Sequence, residues 1–155
     1  MTDMHGVMLG AWLRRMSAMI DADVGRVYKA QGLKFEQRWF GVINQLALNG
    51  AMSVSTLAEA LRINQASVSE TRRSLEKAGF IQSTPDPADS RRRVLTLSPE
   101  GTALVARMRP MWDIFDEVAL QIDTEAGQVT RKLEQLEKAL QRKSLYARIT
   151  ERLDP

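Results

Sequence analysis

The spacing of apolar residues predicts two short helices near the middle of the chain. Leu57 and Leu61 recur at a helical interval behind Ser53, a residue type that often caps the amino terminus of a helix. A short polar interruption follows, and Asn64 can cap a second helix that begins near Gln65. Two helices joined this tightly indicate a helix-turn-helix.

The second of these helices has one apolar side and one polar side. At 100° per residue, Val68, Thr71 and Leu75 fall together and predict the core side. The small and hydrogen-bonding side chains opposite them are typical of a helix in a DNA major groove, or of an ordinary solvated face. The residues of this helix that we expect to contact DNA are Ala66, Ser67, Ser69, Glu70, Arg73 and Lys77.

A β-hairpin with a basic tip is predicted after this helix. Gly79 can end the helix because glycine tolerates a positive φ. Strands are predicted over residues 80–83 and 93–97, and the run 85–90 is predicted to be an irregular tip because proline and aspartate dominate it. Arginines at 91–93 follow the tip directly.

Longer amphipathic helices flank this central segment and make the predicted fold mainly α. Their predicted extents are 4–30, 35–48, 99–122 after a Ser98 cap, and a last helix that opens at 123–124 and reaches 153, with a short strand at 51–52.

The charge of the chain is concentrated in its centre. The 155 residues carry a net charge of +3. Between Arg62 and Arg93 seven Lys or Arg accompany four Asp or Glu, so this stretch alone accounts for the +3 and the rest of the chain sums to zero. An excess of positive charge on the predicted helix-turn-helix unit is what phosphate binding requires.

The residues that the chain lacks narrow the other possibilities. It has no cysteine and one histidine, His5, so disulfides, thiolate nucleophiles and metal sites built on Cys or several His are excluded. These absences also leave little from which to build an enzyme, and we expect no catalytic site, no cofactor and no metal. No apolar run approaches the roughly 18 residues of a membrane span, and no signal peptide is evident, so we expect a cytoplasmic protein.

The central motifs resemble the MarR family of bacterial winged helix-turn-helix transcriptional regulators. The matching residues are Leu57-Ala58, Val68-Ser69, Leu75-Glu76-Lys77-Ala78-Gly79-Phe80-Ile81, the wing motif Asp86-Pro87-Ala88-Asp89-Ser90-Arg91, and the exit Leu95-Thr96-Leu97-Ser98-Pro99-Glu100-Gly101. The resemblance implies a homodimer that binds a palindromic operator in double-stranded DNA and acts as a repressor relieved by a small ligand.

The resemblance also implies roles for the charged residues of the wing. Arg91 follows Asp89 at the Asp-x-Arg spacing with which the family holds a wing arginine for the minor groove, and we expect Asp89 to fix the rotamer of that arginine. Arg92 and Arg93 are expected to touch phosphates or to support solubility. The alternative is a flexible, solvated run of charges.

Three positions depart from the family's pattern and leave the operator sequence open. Arg62 replaces a frequent turn glycine, and Arg72 replaces an apolar residue and is expected to pair with Glu76 four residues later. Glu70 can accept a hydrogen bond from cytosine N4, position Arg73, or repel phosphate.

The flanking helices predict a dimer within a single-domain chain, residues 1–155. We expect dimerisation helices over 4–32 and 124–153, the winged helix-turn-helix over 33–98 and a connecting helix over 99–122. A small DNA-binding unit cannot cover the apolar stripes of both terminal helices, and a second copy of the chain can. The alternative is that these helices pack within one chain.

An effector cleft is a further expectation from the resemblance. A small aromatic or anionic molecule would lie among aromatic and methionine side chains, with an arginine for an anion. The candidates are Trp12, Arg15, Met16, Trp39, Met108, Trp112 and Phe115. The alternative is that these side chains are ordinary core.

One other function stays open at this point. A winged helix can serve as a protein-interaction module without specific DNA binding, although such a module does not require Asp89 or the three wing arginines.

Overall fold

The computed structural model describes residues 5–153 as helices joined by a small sheet. The chain divides into two compact units, the first ending at Arg107 and the second beginning at Met108. The elements are α1 (His5–Ala30), a 3-10 helix (Gln37–Trp39), α2 (Phe40–Asn49), β1 (Met52–Ser53), α3 (Val54–Leu61), α4 (Gln65–Lys77), β2 (Ile81–Pro85), β3 (Arg93–Leu97), α5 (Pro99–Glu125), α6 (Val129–Arg142) and α7 (Leu145–Leu153). This confirms the predicted mainly α fold with a hairpin wing, and the predicted start at residue 4 lies outside the described residues.

The core of the first unit is built on aromatic edge-to-face contacts. The ring of Phe35 lies 5.0 Å from that of Tyr28 and 5.6 Å from that of Trp39, and Trp39 lies 5.8 Å from Phe80. These centroid separations are typical of stabilising aromatic pairs. The predicted stripe of the second helix is buried here with the core faces of α3 and α4, through Phe35, Trp39, Ile43, Leu46, Leu57, Val68 and Leu75.

The turn between α3 and α4 is fixed by local hydrogen bonds. Ser53 Oγ accepts from the Thr56 N–H at 3.1 Å, and Asn64 Oδ1 accepts from the Ser67 N–H at 2.8 Å, so both predicted caps are confirmed. Between them Arg62 takes the left-handed conformation, with φ 54° and ψ 40°. This geometry explains why the position suits a glycine and why the chain can still turn with an arginine there.

The sheet is antiparallel with the order β1-β3-β2, which places β2 at an edge. The prediction that Pro85 belongs to an irregular tip was wrong, because Pro85 ends β2 and pairs with Arg93. A proline is accommodated there since the edge strand needs no N–H on its outer side. Phe80, predicted as the first strand residue, instead precedes β2. Its N–H donates a hydrogen bond to the Leu75 carbonyl at the end of α4.

The predicted start of the second helix at residue 35 was also wrong. Glu36 is extended, with φ −102° and ψ 130°, and makes no capping hydrogen bond. Its carboxylate instead accepts from Arg38 Nε at 2.5 Å. Without a side-chain cap the segment begins as the 3-10 helix and becomes α-helical only at Phe40.

The predicted break at 123–124 was misplaced within the second unit. The backbone turns at Gly127 and Gln128, whose φ values are 76° and 60°. Asp123 lies inside α5 and caps the following helix, with Oδ1 accepting from both the N–H and the hydroxyl of Thr130 at 2.7 Å. The sequence predicted that Asp123 opens the last helix, and Asp123 does cap the start of that stretch, but from a position seven residues before Thr130.

The predicted last helix is in fact two helices. Lys143 leaves the helical conformation with φ −155° and ψ 116°, and Ser144 Oγ accepts from the Ala147 N–H at 3.1 Å, which restarts the chain as α7. Neither α6 nor α7 has a buried residue in the single chain.

We predict that Gly101→Ala destabilises the first unit. A Cβ at this position would lie 2.0 Å from the Phe80 carbonyl oxygen, a backbone atom that cannot rotate away. The free energy of unfolding should fall by at least about 1–3 kcal/mol, the usual cost of overpacking. Chemical denaturation measures this, with Gly25→Ala as the matched helical control because a Cβ there meets nothing within 4 Å. Equal stabilities of the two variants would contradict the close approach.

We predict that the Asp123 cap makes the second unit less stable in acid. The hydrogen bond from the Thr130 N–H, followed by that from its hydroxyl, lowers the pKa of Asp123 from its ordinary value of 3.8. A lowered folded-state pKa gives stabilisation that is complete above the ordinary pKa and is lost as the pH falls through the lowered one. The difference in Tm between the unaltered chain and Asp123→Ala should therefore be constant near neutral pH and shrink below 3.8. A difference that does not change across this range would refute the assignment.

Candidate nucleic-acid interface

Helix α4 presents its predicted polar side to solvent. Val68 and Leu75 are fully buried and Thr71 nearly so, which confirms the core side. The opposite side is open, and the expected contact residues are exposed except Ser69, which is half-buried: Ala66, Ser67, Ser69, Glu70, Arg73 and Lys77. A capped helix with an exposed polar face has the shape and chemistry that a major groove admits.

The tip of the wing is held by its own hydrogen bonds. The Asp86 N–H donates to the Arg92 carbonyl at 2.9 Å and closes the loop, and the Asp86 carboxylate accepts from the Ala88 N–H at 2.8 Å. The Asp89 N–H donates to the Asp86 carbonyl at 3.2 Å. Consecutive turns of this type explain why the loop has a defined path despite its exposure.

The structure places Asp89 differently from the expectation that it fixes the Arg91 side chain. Asp89 Oδ1 accepts from the backbone N–H of Arg91 at 3.0 Å, and Oδ2 lies 3.6 Å from Arg92 Nε. The Asp-x-Arg spacing suits this contact because an aspartate side chain readily bonds the N–H two residues on. Asp89 therefore orients the arginine through the backbone and pairs its charge with the next guanidinium.

Arg93 is folded back across the hairpin. Its Nε donates to Ser83 Oγ and its Nη2 to the Ser83 carbonyl, both at 2.8 Å. The guanidinium is thereby oriented, and the charge remains exposed at the base of the wing.

An open groove of about 380 Å³ joins the wing to the helix-turn-helix. It is lined by the start of α3, by Gln65, Ser69 and Arg72 of α4, and by the arginines at 91–93. The groove brings Ser69 together with all three wing arginines, whereas the other expected α4 residues lie outside its lining.

The cations of this surface differ in what they already bind. Arg72 pairs with Glu76 at 2.8 Å, which confirms the predicted i,i+4 pair. In the described stretch 5–153, no hydrogen bond or ion pair engages the side chains of Arg73, Lys77 and Arg91. These three charges are available to an anionic partner without breaking an internal contact.

Arg38 is a candidate functional residue that the sequence reasoning missed. It belongs to the 3-10 helix, yet its Nη1 lies 3.3 Å from Glu70 Oε1 and its Nη2 donates to Ser74 Oγ at 3.1 Å. The hydrogen bond to Glu36, with the charges of Glu36 and Glu70, raises the pKa of Arg38. Nothing in the local pattern pointed to this contact, because 32 residues separate Arg38 from Glu70.

The expected effector residues fall in both units. Trp12 and Met16 are exposed on α1, and the Arg15 guanidinium lies 4.1 Å from the centroid of a Trp12 ring, a cation–π contact. Trp39, in the first unit, is buried. In the second unit Met108 and Trp112 are buried and Phe115 is half-buried. The effector cleft stays a prediction.

Among the helices of residues 5–153, none combines the length and the apolar composition that a bilayer span requires. No group of three or more His, Cys, Asp or Glu side chains within residues 5–153 is arranged to hold a metal ion.

Comparisons with known proteins agree with this geometry. A model of the MarR family matches residues 39–93. The transcriptional regulator PecS of Dickeya dadantii is 29% identical over 109 residues, which cover 68% of this chain and 64% of PecS. The curated relatives that the chain matches are covered over only 58% to 64% of their own length.

Two solved structures are similar over most of the chain. Bordetella bronchiseptica BpsR, whose DNA binding is regulated by 6-hydroxynicotinic acid, is 26% identical with a TM-score of 0.64, and the match covers 81% of this chain and 92% of BpsR. The S. aureus MepR–DNA complex is 19% identical with a TM-score of 0.69 and coverages of 84% and 96%, which supports the fold alone.

Proposed function

We propose that the chain belongs to the MarR family, whose model matches its winged helix over residues 39–93, and that it binds double-stranded DNA and regulates transcription. The observation that carries the proposal is the groove in which α4 and the wing arginines meet. A helix for the major groove and a basic wing beside it form one continuous surface for a duplex.

The unpaired charges give each part of the surface a role. Arg73 and Lys77 lie on the exposed side of α4, where an arginine can read a guanine edge and a lysine can bind phosphate. Arg91, at the wing tip, suits a minor groove narrowed by A·T pairs, where negative potential is greatest. Arg92 and Arg93, which also line the groove, supply phosphate contacts.

Exposed apolar residues on the terminal helices support a homodimer. Leu133 and Leu140 on α6 and Ile149 on α7 are each more than two-fifths exposed in the single chain, as are Met8 and Trp12 on α1. Exposed apolar side chains along a helix mark an interface, and a two-fold dimer matches a palindromic operator. The dimerisation helices 4–32 and 124–153, the connecting helix 99–122 and the single-domain organisation belong to this proposal.

The proposed regulation is repression relieved by a small aromatic or anionic effector. The relative BpsR, regulated by 6-hydroxynicotinic acid, supports this choice of ligand class. The relatives are transcriptional regulators and not enzymes, so we assign the chain no reaction and no cofactor, and we place it in the cytoplasm with the DNA.

Selection of bound sequences from random duplex DNA tests the function directly. The full chain should enrich a palindrome whose half-sites lie about one helical turn apart, roughly 34–36 Å. Weak binding that enriches no sequence would favour a winged-helix protein-interaction module instead.

We predict that the wing reads A·T-rich flanks through Arg91. Arg91→Ala should weaken binding by about 1.5–3 kcal/mol, the value of a hydrogen bond to a charged group, and most on duplexes with A·T flanks. Asp89→Ala should cost less, because it loosens the Arg91 backbone without removing a positive charge. Fluorescence titration against A·T- and G·C-flanked duplexes measures both losses.

Arg107→Ala is the control for these wing variants, since it removes an exposed arginine outside the predicted contact set. Thermal melts should hardly change because exposed charges contribute little to stability. An Arg91→Ala variant that binds both duplexes as tightly as the control would show that the wing does not read DNA.

We predict that Leu133→Glu separates the dimer. Leu133 lines an apolar groove on α6 with Leu136 and Leu140, and a carboxylate there would be buried without a partner in a dimer. Sedimentation should show a shift to monomer, and affinity for the palindrome should fall roughly a hundredfold because bivalent binding is lost. Gln135→Glu, an exposed change on the same helix, controls for added charge. A Leu133→Glu chain that stays dimeric would place the interface elsewhere.

A further inference from the structure

The exposed side of α4 carries a carboxylate that a distant arginine holds. Glu70 is 72% exposed in its side chain and lies in the middle of the face proposed to enter the major groove. Its carboxylate oxygen Oε1 is 3.3 Å from Nη1 of Arg38, which reaches it from the 3-10 helix. A carboxylate on a surface for a polyanion raises the question of what it contributes there.

Two other hydrogen bonds fix the orientation in which the Arg38 guanidinium contacts Glu70. Its Nε donates to Glu36 and its Nη2 donates to Ser74 Oγ. Ser74 Oγ also accepts from Trp39 Nε1 at 3.0 Å, and Trp39 is buried in the core. Each of the three guanidinium nitrogens thus has an acceptor, in Glu36, Glu70 or Ser74. The guanidinium is therefore pre-organised and not free to rotate.

This arrangement leaves the Glu70 carboxylate able to accept a further hydrogen bond. A carboxylate oxygen has more than one lone-pair site, and Glu70 offers two oxygens of which Arg38 takes one. Within the described part of the chain, the remaining oxygen, Oε2, accepts no hydrogen bond and makes no ion pair. In the major groove the donor that a carboxylate reads is the N4 amino group of cytosine.

Two other interpretations of the same contacts explain less. A phosphate contact by Arg38 would have to compete with two carboxylates and a hydroxyl that already engage three of its five N–H donors. A purely structural tie between the 3-10 helix and α4 is already made by Trp39 and Ser74. Neither accounts for a mostly exposed carboxylate kept on the face proposed to contact DNA, where unpaired it would repel phosphate.

From these contacts we infer that Arg38 is a positioning residue for base selection, holding the Glu70 carboxylate so that it accepts from cytosine N4 at one position of each half-site. The inference rests on the proposed DNA-binding function and names the base chemistry that this surface selects. Arg38 neutralises Glu70 against the phosphates and fixes its orientation, and Glu70 makes the contact.

The test is selection from random duplex DNA by the full chain and five variants, followed by titration on the enriched duplex and on single-base changes of it. Glu70→Gln should lower the preference for cytosine at one position per half-site by about tenfold, because an amide can also donate. Arg38→Gln should lower preference at the same position by a similar factor. The double variant should lose no more of the cytosine preference than Glu70→Gln alone, since both changes disable the same contact.

Two further readouts separate positioning from charge and from folding. Arg38→Lys keeps the positive charge but not the fork, so it should lose the cytosine preference while the slope of log affinity against log salt is unchanged. Arg107→Gln, an exposed arginine outside the network, should alter neither. If the melt of Arg38→Gln collapses, Arg38→Lys and Glu70→Gln alone decide the question.

The remaining outcomes each overturn a different statement. A salt slope that falls by about one in Arg38→Gln with the base preference intact would make Arg38 a phosphate contact. Lower melts with intact preference in both single variants would make the network structural. An unaltered chain that enriches no sequence would end the proposed function and this inference together, whereas an enriched operator with no cytosine opposite Glu70 ends the inference alone.

Discussion

The contact on which the winged helix depends is the junction of Ser98 and Gly101 with the end of α4. Ser98 is 3% exposed; its hydroxyl donates to the Gly79 carbonyl at 2.6 Å and accepts from the Gly101 N–H at 3.0 Å. Its own N–H donates to the Phe80 carbonyl at 3.0 Å, and Gly101 lacks a Cβ that would strike that oxygen. The end of α4, both strands of the wing and the start of α5 therefore meet at one point.

That junction explains how helix α4 and the hairpin wing can form one surface. The angle between α4 and the hairpin is set where the buried Ser98 bonds the Gly79 and Phe80 carbonyls, and such bonds are costly to break without replacement. The wing tip adds its own turns at Asp86 and Asp89, so the arginines beyond it start from a defined backbone. The groove between α4 and the wing arginines is a consequence of this geometry, and no contact at the tip alone would produce it.

The parts of the fold that local chemistry decides were predictable, and those decided by distant contacts were not. Ser53 and Asn64 act within three residues, so their caps followed from sequence. Asp123 caps the helix seven residues later, across a turn, and its pattern alone suited a helix start. The place of Pro85 in β2 depends on which strand lies at the sheet edge, and the contact of Arg38 with Glu70 depends on how the 3-10 helix packs against α4. The spacing of residues along the chain indicates neither. The contact residues themselves stay predictions.

The carboxylates of the central segment show how a surface for a polyanion can include acids. Four occur between Arg62 and Arg93, and each is engaged: Glu70 by Arg38, Glu76 by Arg72, Asp86 by the Ala88 N–H, and Asp89 by the Arg91 N–H and the Arg92 guanidinium. Each carboxylate is thereby held by a donor of the protein, and the contacts with Arg38, Arg72 and Arg92 also lessen local repulsion toward phosphate and orient a cation. It also leaves Arg73, Lys77 and Arg91 as charges with no internal partner in the described chain, on the helix and at the wing tip. The acids therefore decide which cations are held within the protein and which remain for the proposed DNA partner.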